Sequence, residues 1–286
     1  MPTLYVVATP IGNLNDFSPR GIETLRNADI IAAEDTRVTM KLCNVFDIHT
    51  KLVSCHRHNE NEKGPWLAQK MLDEDLNIAL TTDAGTPCIS DPGYALIREC
   101  VERGIHVVPI PGCCAAVTAL SICGMDTREF SFYGFLPRDK KECLRKIEEI
   151  AGMTRVAVIH ESPYRIVETL GWIDEVIPQT EAVVCSDLTK MHEKVIRGSL
   201  PQVTEIMKND PKTEKGEYCI VLRFPEKQED TEHEKTPVMS PEAAIVEQMR
   251  TGKTLREAQE ILIENGMKKN AVKQAGIELK KMFAQQ

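Results

Sequence analysis

A chain of 286 residues, 42% hydrophobic and 27% charged, reads as soluble and globular and is long enough for two domains and an appendage. A net charge of −8 argues against a generic nucleic-acid binder, and the absence of an apolar run of about 18 residues, or of a charged leader with an apolar core, argues against export or membrane spanning. The ten cysteines form no CxxC pair and His56-Arg-His58 is the only metal-like spacing, so a reducing cytoplasm is expected and a metal site is not.

Strand-like and helical patterns alternate from the start. Leu4–Ala8 reads as a strand and Ser18–Arg26 as a helix, with Ser18 as its cap and Pro19 at its first position. Asp29–Ala33 and Lys51–Ser54 read as strands, Pro65–Leu72 as a helix, and 77–81 as a strand. A helix at 92–103, a strand at Ile105–Pro109 and a short helix at 113–122 follow. This order predicts a largely parallel sheet covered by helices. A Gly-Met-Asp turn between Cys123 and Arg128 interrupts it, which sets the first αβ domain at 1–125. The second, 126–225, has strands at Phe130–Tyr133, Arg155–Ile159, Glu181–Val184 and Tyr218–Leu222, with Lys194–Arg197 as a further candidate. Its helices fall at 139–150, 163–171 and 201–208. Residues 226–240, with five acids against two bases, read as a Pro-bounded linker. The tail, 241–286, holds eight bases against six acids and reads as three short helices: Pro241–Met249, Thr254–Glu264 and Asn270–Phe283. Thr254–Glu257 is a capping box, Asn265-Gly266 a stop, and Asn270 a cap for the third helix. Two short helices across a Gly turn fit a helix-turn-helix, and a small packing bundle at least as well.

The densest chemistry lies in Leu80–Gly93. A strand runs into Thr-Thr-Asp-Ala-Gly-Thr-Pro-Cys-Ile-Ser-Asp-Pro-Gly, where Gly85 and Gly93 permit positive φ or a close ligand. Ser90 or Asp91 can cap the following helix with Pro92 at its first position. Open α/β sheets bind ligands at such strand-to-helix turns. Four more clusters sit at predicted strand ends, Thr9–Gly12, Ala33–Arg37, Pro109–Ala116 and Ile159–Arg165, and could converge with the first. There is no GxxxxGK[ST] loop, no three-glycine dinucleotide turn and no GxSxG, so a phosphate cradle and a triad are not expected.

Thr9-Pro-Ile-Gly-Asn-Leu14, Ala33-Glu-Asp-Thr-Arg37, His58-Asn-Glu60, Asp83-Ala-Gly-Thr-Pro87 with Ser90-Asp-Pro-Gly93, Pro111-Gly112, Gly134-Phe-Leu-Pro137 and Glu161-Ser-Pro163 together resemble the ribosomal RNA small subunit methyltransferase I family, within the tetrapyrrole-methylase-like class of S-adenosylmethionine enzymes. The resemblance runs from Leu4 to Leu222 and extends to the C-terminal helices. The chain departs from the family's pattern at Cys113-Cys114, where one serine is usual, at Tyr164, where histidine is, and at Ser186-Asp187, where an Arg-Glu pair is. The resemblance implies an α/β fold of two αβ domains of tetrapyrrole-methylase type, the donor site in the cleft between them, and a small C-terminal helical domain. It implies 2′-O-methylation of a cytidine ribose in the decoding region of 16S rRNA, with S-adenosylmethionine as donor and the assembled 30S subunit as substrate. A cytoplasmic homodimer, with no membrane and no metal, belongs to the same expectation.

By position in the family's motifs, Pro10, Ile11 and Gly12 resemble one wall of the donor site, Asp83, Ala84, Gly85, Thr86 and Ile89 a second, and Cys114, Ala115 and Glu161 the rest. A sulfonium with an amino-acid tail calls for carboxylates, carbonyls and backbone groups. Methylating a ribose hydroxyl needs in-line alignment and help with proton removal, for which Glu34, Asp35, His58 and Lys190 are the candidates. Asp35 serves equally well as a helix cap paired with Arg37. Arg37, Arg138, Lys140, Lys141 and Arg165 follow predicted strand ends and are the candidate RNA contacts, Lys140-Lys141 reading also as a solvated helix face. Two rival readings remain. A tetrapyrrole or corrinoid methyltransferase of the same fold leaves Ala33–Arg37, His58–Glu60 and the tail unexplained. A non-enzymatic nucleic-acid binder led by 241–286 leaves the strand-end clusters without purpose.

Overall fold

The computed structural model describes residues 1–226 and 239–283, so the expected linker falls almost wholly outside the described residues. The chain divides into two units, Met1–Glu226 and Lys227–Gln286.

The first unit holds two five-stranded sheets. In one, β1 (Thr3–Val7), β2 (Ile30–Ala33), β3 (Lys51–Ser54), β4 (Ile78–Thr81) and β5 (His106–Ile110) lie in the order β3-β2-β4-β1-β5, all parallel. β2 and β4 are buried at every position, which is why they read as unbroken apolar runs. Leu4, Ile30, Ala32, Ile78 and Leu80 pack under α3 (Glu60–Glu74) and α4 (Tyr94–Glu102). Val7, Ile31, Ala33 and Ala79, of the opposite parity, pack under α1 (Pro19–Asn27) and α2 (Thr36–Val45).

Ser18 caps α1, accepting from the Gly21 N–H at 3.0 Å. The sequence assigns α2 no range, but the reading of Asp35 as a helix cap paired with Arg37 is the one observed. α4 starts at Tyr94, later than expected. Its cap, Gly93 (φ +124), has no side chain, and the Gly93 N–H donates to the Glu60 carboxylate at 2.8 Å. Ser90 and Asp91 therefore do not cap this helix.

In the other sheet, β6 (Ser131–Phe135), β7 (Val156–Glu161), β8 (Glu181–Ser186), β9 (Lys194–Ser199) and β10 (Tyr218–Arg223) lie in the order β6-β7-β10-β8-β9. Only β6 and β7 are parallel neighbours; β10 runs antiparallel to β7 and β8, and β9 to β8. The largely parallel arrangement expected of the first sheet is observed there, and the second sheet is mixed. β8 returns as β9 through the short loop Asp187–Glu193, which leaves no room for a crossover helix. One face packs on α6 (Lys140–Met153), α7 (Ile166–Val176) and α8 (Leu200–Asn209). The other, with Val156, Val158, Val183, Cys185 and Val221, packs on Ala116, Ala119 and Leu120 of α5 (Ala115–Ile122). α5 thus follows the first sheet in sequence and covers the second in space.

The second unit is a three-helix cluster, α9 (Pro241–Arg250), α10 (Leu255–Glu264) and α11 (Lys269–Phe283), around Ile245, Ala258, Leu262, Val272 and Ala275. The Thr254–Glu257 capping box is formed, whereas α11 begins at Lys269, which puts Asn270 inside the helix.

Candidate active site

The first sheet delivers its loops to one edge. The helix after β1 lies on one face and the helix after β4 on the other, so the loops leaving these neighbouring strands diverge and open a crevice. Across it Thr9 and Gly85 exchange N–H···O bonds of 2.9 and 3.1 Å. Gly85 has φ +87, and a Cβ there would stand 3.4 Å from Ile11 Cγ2. The Thr86 hydroxyl donates to the Cys113 carbonyl at 2.9 Å and ties the β4 loop to the β5 loop.

A cavity of about 400 Å³ separates these loops from the end of the second sheet where β7 and β8 finish and β10 begins. Ile11, Ala84, Ile89, Ser90, Asp91 and Ala115 line it from one side, and Phe135, His160, Cys185, Leu188, Gly216 and Tyr218 from the other. No lysine or arginine is among the lining residues, which suits a cationic ligand and opposes a polyphosphate. The His160 ring packs against Phe132 and Phe135, with centroids 5.2 and 5.7 Å away, and burial pushes its pKa down, so it faces the cavity neutral.

Glu161, also at this wall, is 2% exposed. Its carboxylate accepts from the Ser162 N–H and the Thr169 hydroxyl, both at 2.7 Å, and lies 3.6 Å from the Arg165 guanidinium. Arg165 in turn donates to the Pro137 carbonyl at 2.8 Å. Both side chains are committed to holding the start of α7 against the loop after β6.

Glu34, Asp35, Asp83 and Asp91 gather beyond β2 and β4. Glu34 accepts from the Thr82 hydroxyl (2.6 Å) and the Asp83 N–H (3.3 Å), and Asp83 accepts from the Asp35 N–H (3.1 Å). Asp35 accepts from the Arg37 N–H at 2.8 Å while the Arg37 guanidinium forks onto it, with Nη2 at 2.6 Å. Those bonds hold its carboxyl down at about 2. Asp91 goes the other way. Burial, helped by the charges of Glu34 and Asp83 and opposed by Thr82 and Arg57, pushes it up to about 6. Burial raises Asp83 as well, against the hydrogen bond from the Asp35 N–H. A carboxylate near 2 has little hold on a proton, whereas one near 6 is matched to accept one near neutrality. Of the four, Asp91 alone lines the cavity.

Burial disfavours the Lys190 ammonium, but Asp187 (3.0 Å) and Glu217 (3.1 Å) outweigh it and raise its pKa, so Lys190 stays charged and cannot take a proton. Its stem lies over Gly12, where a Cβ would stand 2.5 Å from Lys190 Cγ and 2.9 Å from Thr189 Oγ1. Gly12 is therefore the residue that lets the β1 loop close onto the β8–β9 loop. Pro10, Gly12 and Asp83 line a second cavity of about 290 Å³, and Gly85, Thr86 and Cys114 line neither. His58, Arg138, Lys140 and Lys141 are exposed and outside the cavity, with Lys140 paired to Glu175 at 3.0 Å. Arg37 is also outside it. Its side chain is largely exposed, and its Nη1 has no partner among the described residues.

Sequence reasoning missed Asp91 as a cavity group, and with it Phe135, His160, Leu188 and Tyr218. Ser-Asp-Pro-Gly is a helix-start pattern, so Ser90 or Asp91 reads as a cap. What turns its loop inward is left-handed backbone at two non-glycine residues, Cys88 (φ +67) and Ser90 (φ +72), for which the sequence carries no signal. His160 stands directly before the Glu161 cluster, and that adjacency was the available hint.

The family model for Tetrapyrrole (Corrin/Porphyrin) Methylases matches residues 3–204. The chain is 46% identical over 220 residues to "Ribosomal RNA small subunit methyltransferase I" of Halalkalibacterium halodurans, covering 77% of this chain and 75% of that protein. It is 40% identical over 259 residues to the Bacillus subtilis protein of the same name, covering 90% and 88%. Among solved structures it is similar to a diphthine synthase (TM-score 0.59, 16% identity, 78% of this chain and 90% of that one). It is also similar to the uroporphyrin-III C-methyl transferase of Thermus thermophilus complexed with S-adenosyl homocysteine (TM-score 0.55, 14% identity, 77% and 97%). At these identities the two structures establish the fold.

Proposed function

Given that the chain belongs to the ribosomal RNA small subunit methyltransferase I family, within the tetrapyrrole methylases, we propose that it transfers a methyl group from S-adenosylmethionine to the 2′-hydroxyl of a cytidine in 16S rRNA, on the assembled 30S subunit. The observation that carries this reading is identity of 40% and more to relatives of that name over most of the chain. The work of a homodimer in the cytoplasm is part of the same proposal.

The residues fit the donor. The larger cavity offers Ile11, Ala84 and Ala115 as apolar and backbone surface, and Asp91 and Glu217 as carboxylates beside the internally bonded Glu161, with no lysine or arginine in its lining to repel a sulfonium. When bound, S-adenosylmethionine supplies an electrophilic methyl and leaves as a neutral thioether. The chain's own contribution is placement and the proton. The Thr9–Gly85 bridge holds Ile11 and Ala84 in one wall. Asp91 accepts the proton that the ribose hydroxyl loses as its oxygen bonds to the methyl carbon. Asp35, held by Arg37, keeps the start of α2 in place, and Arg37 Nη1 remains available for a phosphate oxygen.

Labelled donor offered to 30S subunits and to a precorrin decides between this reading and a porphyrinoid methylase. Label in 16S rRNA, recovered as 2′-O-methylcytidine after nuclease digestion, is the expected result; label in the precorrin alone would overturn it. Gly85→Val places a branched side chain on left-handed backbone beside Ile11. We expect a folded protein, destabilised by about 1–3 kcal/mol of backbone strain, whose donor affinity falls about tenfold or more because the new side chain displaces Ile11 from the cavity wall. Calorimetry with S-adenosylmethionine reads it, and an unchanged affinity would remove this loop from the donor site.

A further inference from the structure

The second cavity, about 290 Å³, shares a wall with the larger one. Ile11 and Ala84 face the larger cavity, and their neighbours Gly12 and Asp83 face the smaller. Its sides are apolar. Leu14 stands on the β1 loop, and Val38, Leu42 and Val45 form one stripe of α2. Leu14, Val38 and Val45 remain 44%, 37% and 60% exposed, an apolar surface that the fold leaves open. Its floor is polar, with the buried Thr39 and Thr82, and the exposed Asp83 stands on the wall beside them. Thr39 is 2% exposed and its hydroxyl has no hydrogen-bond partner among the described residues, a state that costs stability unless a ligand group meets it. Lys41 stands on the same cavity, and Arg37, in the first turn of the same helix, has no partner for Nη1 among the described residues.

We propose that this cavity receives the base of the target nucleotide, a single pyrimidine swung out of its RNA strand, so that the ribose of that nucleotide rests on the Gly12–Asp83 wall beside the donor cavity. The proposal rests on the reading of the chain as an RNA ribose methyltransferase. The apolar sides, Leu14 and the Val38–Leu42–Val45 stripe, pack on the base, and the polar residues meet its edge. The exocyclic amine of cytosine donates to the Asp83 carboxylate, and the Thr39 hydroxyl donates to the ring nitrogen beside it. Lys41 and Arg37 hold flanking phosphates. Such a volume sits at the lower limit of small-molecule pockets, about 300 Å³, which admits one base and excludes a tetrapyrrole macrocycle.

Two variants of the full chain test it. Val45→Trp fills the mouth from an exposed position, and Thr39→Val removes the unpaired hydroxyl at constant shape. Both are expected to melt at or above the wild-type temperature and to bind S-adenosylmethionine normally in calorimetry. Each should raise the KM for 30S subunits about tenfold or more. Should Val45→Trp fail to fold, Thr39→Val decides alone. Wild-type KM and kcat in the folded variants would overturn the subsite and leave the RNA reading standing, because the wild type still labels subunits. Lost donor affinity would assign the cavity to the donor and overturn it too. A wild type that binds donor and leaves 30S subunits unlabelled would overturn the RNA reading and the subsite with it.

Discussion

Asp91→Asn is expected to lower turnover on 30S subunits by about 10²- to 10⁴-fold, the usual contribution of a general base, with donor affinity largely kept. It is also expected to make the protein more stable at neutral pH. The folded carboxyl sits near 6 against an ordinary 3.8 because burial, Glu34 and Asp83 all disfavour its charge. Below about pH 4 the group is protonated folded or unfolded and costs nothing. As pH rises through 6 the folded protein must carry a charge that the unfolded chain carries more cheaply, so stability is lost over that window. The difference converts to ~3 kcal/mol for a fully shielded group, and partial exposure to solvent reduces it to about 1 kcal/mol. Thermal melts should therefore show the asparagine variant about 2 °C above wild type at pH 7.5 and level with it at pH 4. Wild-type kcat should climb through about pH 6 and then level, and the variant should lose that limb. A variant that keeps both the limb and the rate would remove Asp91 from proton transfer.

Glu161→Ala should be the most destabilising single change at the site. It removes the acceptor for the Ser162 N–H and for the buried Thr169 hydroxyl, and leaves the partly exposed Arg165 without the buried carboxylate beside it. Breaking a buried charged pair costs about 3–5 kcal/mol, which lowers the melting temperature of a protein this size by about 10 °C. Glu161→Gln keeps the shape but supplies one acceptor oxygen where two serve now, and should fall between. Calorimetric melts of both variants, alongside donor titration, separate framework from ligand contact. If Glu161→Gln melts like wild type and loses donor affinity, the carboxylate belongs to the ligand and the framework assignment is wrong.

The alternation of apolar and amphipathic runs made the first sheet legible, because buried parallel strands such as Ile30–Ala33 and Ile78–Thr81 need unbroken apolar stretches. The same reasoning leaves the pairing directions of the second sheet open, since they depend on whether a connection has room to cross over, as Asp187–Glu193 does not. Only the cap of α2, Asp35, is legible, because Thr36–Val45 mixes two threonines, an asparagine and two valines into its pattern, and tertiary packing against Ile31 and Ala33 overrides that weak propensity. At the site, strand-end motifs located the wall residues Ile11, Ala84, Ile89, Ala115 and Glu161. They did not separate residues that face a cavity from residues that shape a loop, as Gly12 and Thr86 do. That distinction lies in side-chain direction and backbone φ, which one sequence does not encode in any readable pattern.

The position of α5 has a consequence for how the first unit comes apart. Strip this helix away and the valine face of the second sheet, Val156, Val158, Val183 and Val221, stands bare to water. Yet the helix is tethered through Pro111–Cys114 to the last strand of the first sheet. The second sheet thus cannot complete its burial without a helix that the first one carries, nor can that helix bury its own apolar face alone, and Met1–Glu226 should lose its structure in one cooperative step. A protease nick at Gly124–Glu129 would cut the covalent path between the sheets without releasing either, because what joins them there is a helix and not the peptide bond.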